Sequence, residues 1–284
     1  MEIIRIPRIM RETSRRLLVK GRTVGFVPTM GSLHQGHMFL FKTAREENDI
    51  VVASIFVNPI QFGPGEDFDN YPRDLETDVK KLEAAGVDIL FAPEAPSMYP
   101  EGFSTSVSVK GLSDRLCGAF RPGHFDGVAT VVCKLFSLVL PTRSYFGQKD
   151  YQQSQIIRRM IRDLDLGIEC IVCSTVRESD GLAMSSRNRY LSQTERHAAA
   201  VIFQSLQAAA AMIRKGAGPS DVSAHVRTQI ESEPLVTEVQ YAGVYDPDTL
   251  EARTVAARAS LVAAAVKIGN TRLIDNIIVE LKDK

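Results

Sequence analysis

Apolar residues change period in a regular way along the chain. Residues 24–27 and 50–57 are short, almost unbroken apolar runs, whereas between them Leu40, Phe41 and Ala44 recur on one helical face. Runs apolar on both sides suit parallel strands covered by helices. Strand, helix and strand in succession make a βαβ unit with a right-handed crossover. Residues 9–20 precede it as a basic amphipathic helix ended by Gly21. Residues 73–85 read as a further helix, stopped by Gly86, and residues 87–91 as a third strand.

The middle of the chain is less regular. Residues 93–126 contain one short alternating strand at 104–109, then residues 127–140 form a strongly apolar helix closed by Pro141. A strand at 144–146 leads to a helix whose buried stripe is Ile156, Ile157, Met160, Ile161 and Leu164, and a strand follows at 168–173. Beyond residue 176 the pattern changes. An alanine-rich helix over 193–213 carries Ile202, Leu206, Ala209 and Ile213 on one stripe and stops at Gly216, Gly218 and Pro219. A helix at 220–232 and strands near 236–245, 260–267 and 272–281 complete the chain, with Asp246, Pro247 and Asp248 as a turn. The fold class is therefore α/β, a Rossmann-like doubly wound parallel sheet over residues 1–176, with a smaller α+β domain over 177–284.

Composition narrows the function. With 34 basic against 34 acidic residues among 284, nothing draws the chain toward nucleic acid or an anionic membrane, and a small-molecule enzyme fits better. No apolar run reaches membrane-spanning length, and the N-terminus, with Arg5, Arg8, Arg11, Arg15 and Arg16, lacks a signal peptide's apolar core. Cytoplasm is the expected location. Cys170 and Cys173 stand three apart in a strand and so face opposite ways, which reads as buried thiols rather than zinc or redox chemistry.

Two stretches offer chemistry as the jaws of one nucleotide site. In the first, residues 27–37, Pro28, Gly31 and Gly36 break the strand period before a helix beginning near Gln35. The free N–H groups and dipole of that helix end favour an anion. His34 and His37, three residues apart on its first turn, would lie over one spot and donate to phosphate oxygens. A metal pair or two solvent-facing capping histidines are the alternatives. The second jaw, Met184, Ser185, Ser186, Arg187 and Asn188, presents two hydroxyls and a guanidinium that suit a polyphosphate, or is simply a loop.

Other candidates stand at strand ends, where open α/β sheets bind ligands. Asn58 and Gln61 follow the second strand, and their amides suit a substrate bearing hydroxyls and a carboxylate, unless they only build an Asn-Pro turn. Lys149 could meet a phosphate, Asp150 a ribose hydroxyl or the helix N-terminus as its cap, and Gln153 would face the same crevice as Gln61. The loop Arg121 to Phe125 is structural or a lid. His197 and His225, inside helices, are read as structural.

Assembled, these residues resemble the pantothenate synthetases, the pantoate–β-alanine ligase family, over essentially the whole length. The resemblance rests on residues 27–37, 54–59 with Gln61 and Phe62, 71–73, 121–125, 146–150 with Gln153, 180–188 and 271–276. It implies membership of the nucleotidyltransferase group whose His-x-Gly-His motif and Lys-Met-Ser-Lys-Ser-like loop clasp ATP. It also implies a two-step reaction: pantoate and ATP·Mg²⁺ give pantoyl adenylate and pyrophosphate, then β-alanine gives pantothenate and AMP. By the same resemblance Met30, Gly31, Ser32, Leu33, His34, Gln35, Gly36 and His37 bind ATP, with His37 the proton donor. Gly147, Gln148, Lys149, Asp150, Val176, Met184, Ser185, Ser186 and Arg187 complete the ATP pocket, and Asn58, Gln61 and Gln153 take pantoate.

A homodimer whose small domain closes over the site is implied as well. The protein's Mg²⁺ ligands are not identified by the resemblance, and Asp78 is a candidate. Departures from the family pattern are Ser32, Gln148, Thr142 and Ser174. The rival readings are another His-x-Gly-His nucleotidyltransferase and a catalytically silent nucleotide sensor.

Overall fold

The computed structural model describes residues 1–281. In chain order the elements are β1 (Glu2–Ile4), α1 (Pro7–Val19), β2 (Val24–Thr29), α2 (Gln35–Glu47), β3 (Ile50–Ile55), α3 (Leu75–Ala84), β4 (Ile89–Phe91), α4 (Ala95–Met98), α5 (Cys117–Phe120), α6 (His124–Val139), β5 (Arg143–Gly147), α7 (Tyr151–Asp163) and β6 (Glu169–Cys173). There follow α8 (Gln193–Ala198), α9 (Ala200–Arg214), α10 (Pro219–Glu231), β7 (Val236–Tyr245), β8 (Ala259–Ile268) and β9 (Thr271–Glu280). The chain forms two compact units. One holds residues 1–113, 121–147 and 153–174, and the other residues 114–120, 148–152 and 175 onward.

The first unit is built on a parallel sheet in the order β1-β4-β3-β2-β5-β6. From β2 the chain winds outward one way through β3 and β4, then crosses to the other side of β2 for β5 and β6. The order reverses between β2 and β5. Neighbouring residues of β2 face opposite ways, as a strand requires. Val27 packs with Phe41 and Ala44 of α2, while the Phe26 ring meets Phe136 of α6 edge-on at 6.3 Å. Helices therefore cover both faces, which is why the strands read as unbroken apolar runs.

The second unit pairs an antiparallel sheet, β7-β8-β9, with α9 and α10. Its core includes Ile202, Leu206, Ala209 and Ile213, the stripe expected for an alanine-rich helix, against Val226, Val262 and Val266.

Four expectations change, the first at Leu164, which follows the end of α7 and is 50% exposed, so the buried stripe of that helix stops at Ile161. The alternating segment 104–109 forms no strand; the Val107 N–H donates to Thr130 Oγ1 at 2.9 Å, so a side chain of α6 takes the place of a neighbouring strand. The helix expected over 193–213 is two helices meeting at Ala199, whose carbonyl accepts the Ile202 N–H in a tightened turn. That break leaves the apolar period intact, so the pattern carries no trace of it. Residues 2–4 add β1, an edge strand too short for periodicity to mark.

Candidate functional site

The first jaw leaves β2 beside the point where strand order reverses, the place where open parallel sheets hold ligands. Thr29 ends the strand by donating its hydroxyl to the Ser54 carbonyl at 2.7 Å and accepting the Gly31 N–H at 3.1 Å. Gly31 and Ser32 then take left-handed conformations, with φ of 83° and 52°. Asp78 of α3, only 2% exposed, accepts the N–H of Ser32 at 2.7 Å and of Leu33 at 2.8 Å.

The two histidines are helix caps and more. His34 Nδ1 accepts the Gly36 N–H at 3.1 Å, and His37 Nδ1 accepts the His34 N–H at 3.3 Å, while the ring centroids lie 4.1 Å apart. A ring nitrogen that accepts from an amide carries no proton, so the N–H of each neutral ring is at Nε2. Capping thus sets the tautomer and makes each Nε2 a donor. The expected geometry over one spot is present, and it includes the capping role weighed against it.

Gln61 sits in a short 3-10 turn, Pro59–Gln61, after β3. Asn58 lies beneath it, 1% exposed, donating to Gln61 Oε1 at 3.0 Å and to the Gly127 carbonyl at 3.1 Å, and accepting the Tyr99 hydroxyl at 2.7 Å. Its amide is thus spent on protein groups and orients Gln61. Burial pushes the Tyr99 hydroxyl far up, so it stays a donor. Gln61 Nε2 points at Met30 Sδ, 3.1 Å away, which brings the first jaw and the glutamine together. Gly127 allows this turn: a Cβ there would stand 2.4 Å from the Ile60 carbonyl oxygen.

The Arg121 loop is part of the same support. Arg121 grips both oxygens of Glu66 at 2.6 Å and donates to His124 Nε2 at 2.9 Å, and His124 Nδ1 in turn donates to the Gln61 carbonyl at 2.8 Å. Burial pushes the Glu66 carboxyl up, but Arg121 outweighs it and holds Glu66 below its usual range. Gln153 is half-buried on α7, and Gly147 ends β5.

The second unit carries the remaining candidates. Gln148–Asp150 form a 3-10 turn whose carbonyls at Gln148 and Lys149 accept from Asn276 Nδ2 at 3.0 and 2.9 Å. Lys149 Nζ lies 3.7 Å from Asp150 Oδ1. The Met184 N–H bonds the Val176 carbonyl at 3.0 Å, and Ser185 Oγ caps the Ser186–Tyr190 turn by accepting the Arg187 N–H at 3.3 Å. Arg196 frames this loop by donating to Asp180 at 2.6 and 2.9 Å and to Glu178 at 2.7 Å. Those Arg196 bonds hold the Asp180 carboxyl low against the opposing effect of burial.

Sequence reading passed over the supports: Asp275 with Arg177, Asn276 as a carbonyl clamp, Tyr99, and the Glu66 pair. Only the block 271–276 hinted at some of them. Among the departures, Thr142 keeps a capping acceptor, its Oγ1 taking the Val24 N–H at 3.1 Å. Cys170 and Cys173 are free thiols, and burial pushes Cys170 to about 11.

The model of the pantoate-beta-alanine ligase family matches residues 2–278. A pantothenate synthetase of Thermodesulfovibrio yellowstonii is 60% identical over 280 residues, covering 99% of this chain and all of that one. The crystal structure of pantothenate synthetase from Thermus thermophilus superposes with a TM-score of 0.93 at 46% identity, covering 98% of this chain and 99% of that one. A pantoate-beta-alanine ligase from Francisella tularensis, complexed with beta-gamma ATP and beta-alanine, has a TM-score of 0.80 at 34% identity over 98% of this chain and 97% of its own.

Proposed function

The chain belongs to the pantoate-beta-alanine ligase family and joins pantoate to β-alanine at the expense of ATP, and we propose that it does so through a pantoyl adenylate. The observation that carries this reading is the pair of histidine caps, whose Nε2 donors stand at an anion-favouring helix end beside the reversal of strand order.

In the first step a pantoate carboxylate oxygen attacks the α-phosphorus, an O–P bond forms, and the bond to the β-phosphate oxygen breaks to release pyrophosphate. A free carboxylate would have to expel an oxide, whereas the adenylate expels AMP. His34 and His37 donate from Nε2 to oxygens that gain charge, and His37 acts as the proton donor. Lys149, Ser185, Ser186 and Arg187 hold the remaining phosphates, and Met30 to Gly36, Gly147 to Asp150, Val176 and Met184 line the nucleotide. Most of this is positioning and electrostatics. Gln61 and Gln153 grip pantoate, with Asn58 fixing the Gln61 amide from below. In the second step the β-alanine amine, having lost a proton, attacks the acyl carbon and AMP leaves.

In this reading Mg²⁺ would be held by the ATP phosphates and would offset part of their charge. Asp78 does not fit as its ligand, because both of its oxygens face backbone N–H groups. No group of three metal-binding side chains gathers among the described residues. A cytoplasmic homodimer completes the proposal.

Pantoate-dependent exchange of labelled pyrophosphate into ATP, with Mg²⁺ present and β-alanine absent, tests the adenylate. Exchange supports it. A folded protein that binds ATP and gives no exchange sinks it, and a nucleotidyltransferase or a sensor would then be the better reading.

A further inference from the structure

Successive backbone N–H groups that converge on one point in a turn make a concavity that commonly holds a phosphate or another anion. Here the N–H groups of Ser32 and Leu33 converge on one carboxylate where Gly31 and Ser32, with φ of 83° and 52°, turn the chain at the entrance to the first jaw. The concavity is already filled. The Asp78 carboxylate accepts the Ser32 N–H at 2.7 Å through Oδ2 and the Leu33 N–H at 2.8 Å through Oδ1. One turn along α3, Lys81 Nζ donates to the Leu33 carbonyl at 2.7 Å. Residues three apart share a helix face, so α3 grips Leu33 at its N–H and its C=O together.

We infer that Asp78 and Lys81 are positioning residues for the adenylation step, a clamp from α3 that aims the two catalytic histidines without touching substrate. The next residue after Leu33 is His34, whose ring caps α2 and whose N–H is taken by the His37 ring. The backbone at Leu33 therefore sets where both Nδ1 acceptors lie, and through them where both Nε2 protons point. A left-handed serine carries backbone strain, and such strain persists only where the surroundings over-determine it. The carboxylate supplies that constraint. It also closes the concavity to a nucleotide phosphate, leaving phosphate to the histidine donors and the α2 terminus.

The inference rests on the ligase reading for its kinetic arm and is independent of it for its spectroscopic arm. Asp78→Asn keeps shape but offers one acceptor where two are needed, and turns an NH₂ donor toward a backbone N–H. Lys81→Met removes the second grip from a half-buried site and guards against a poorly folding Asp78→Asn. Each variant is compared with the unsubstituted protein by thermal melting, by pantoate-dependent pyrophosphate exchange with kcat and KM for ATP separated, and by long-range ¹H–¹⁵N correlation of the histidine rings.

In the unsubstituted protein His34 and His37, assigned with H34Q and H37Q, each show a proton on Nε2. Asp78→Asn lowers kcat about 100-fold and Lys81→Met about 10-fold, with KM for ATP changed less than about 3-fold, as for an interaction that matters in the transition state. At least one of the two rings loses its single-tautomer pattern. A merely structural role would lower the melting temperature and leave kcat per folded molecule and the ring pattern unchanged, and that result in Lys81→Met, or in folded Asp78→Asn, overturns the inference. If the unsubstituted protein gives no exchange, the ligase reading fails, and the tautomers alone decide whether the clamp aims the rings.

Discussion

Arg177 and Asp275 meet through two hydrogen bonds, at 2.5 and 3.0 Å, with the carboxylate 2% exposed. The same guanidinium lies 3.8 Å over the Phe203 ring and donates to the Gly181 carbonyl at 3.0 Å. Burial pushes the Asp275 carboxyl up while Arg177 pulls it back. The pair joins β9 to the start of the second-jaw loop, and the adjacent Asn276 clamps the Lys149 carbonyl. Removing one partner leaves a buried charge uncompensated. Asp275→Ala is expected to cost about 3–5 kcal/mol in urea unfolding.

The contact between Gly127 and the turn at Gln61 makes a second prediction. An alanine Cβ would lie 2.4 Å from Ile60 O and 2.7 Å from Gln61 Cα, both main-chain atoms that yield only if the turn moves. Gly127→Ala should cost about 1–3 kcal/mol of stability. If Gln61 grips pantoate, KM for pantoate should rise more than KM for ATP, which steady-state kinetics can read.

His37→Ala removes a donor whose value is greatest in the transition state. The adenylation rate should fall about 10²- to 10⁴-fold in single-turnover measurements. ATP affinity by calorimetry should change less than about tenfold, since binding shared by ground and transition states is largely kept. Equal losses in both would argue against a proton-donor role.

Acid should act on the support of Gln61 through Glu66. Its carboxyl sits below the usual range in the folded protein, so the folded state binds fewer protons than the unfolded state. Stability from the Arg121 pair is therefore present above the unfolded-state pKa and declines from about pH 5 downward as the carboxylate protonates. Melting temperature followed against pH should fall less steeply there for Glu66→Gln than for the unsubstituted chain.

Much of the parallel sheet was legible in the sequence because strands covered on both faces leave apolar runs, and Gly21 and Gly86 punctuate the helices between them. The candidate donors were legible as residue types at strand ends. Their supports were not. Asp78 reads as a candidate Mg²⁺ ligand until the fold places the Ser32 and Leu33 N–H groups against its two oxygens, and Asn276 gives no sign that its partners are carbonyls more than a hundred residues earlier. Segment 104–109 shows the converse: it has a strand's alternation, but pairing needs a neighbour, and the neighbour is a threonine side chain.

The reversal of strand order has a cost during synthesis. The Val24 N–H and the Thr142 hydroxyl that accepts it are 118 residues apart, so β2 waits for β5 while that length is made. At roughly 5–20 residues per second the wait is about 6–24 seconds. Throughout it, one edge of the strand that ends in the first jaw has no partner, and on a crowded ribosome that edge is a template for the wrong chain.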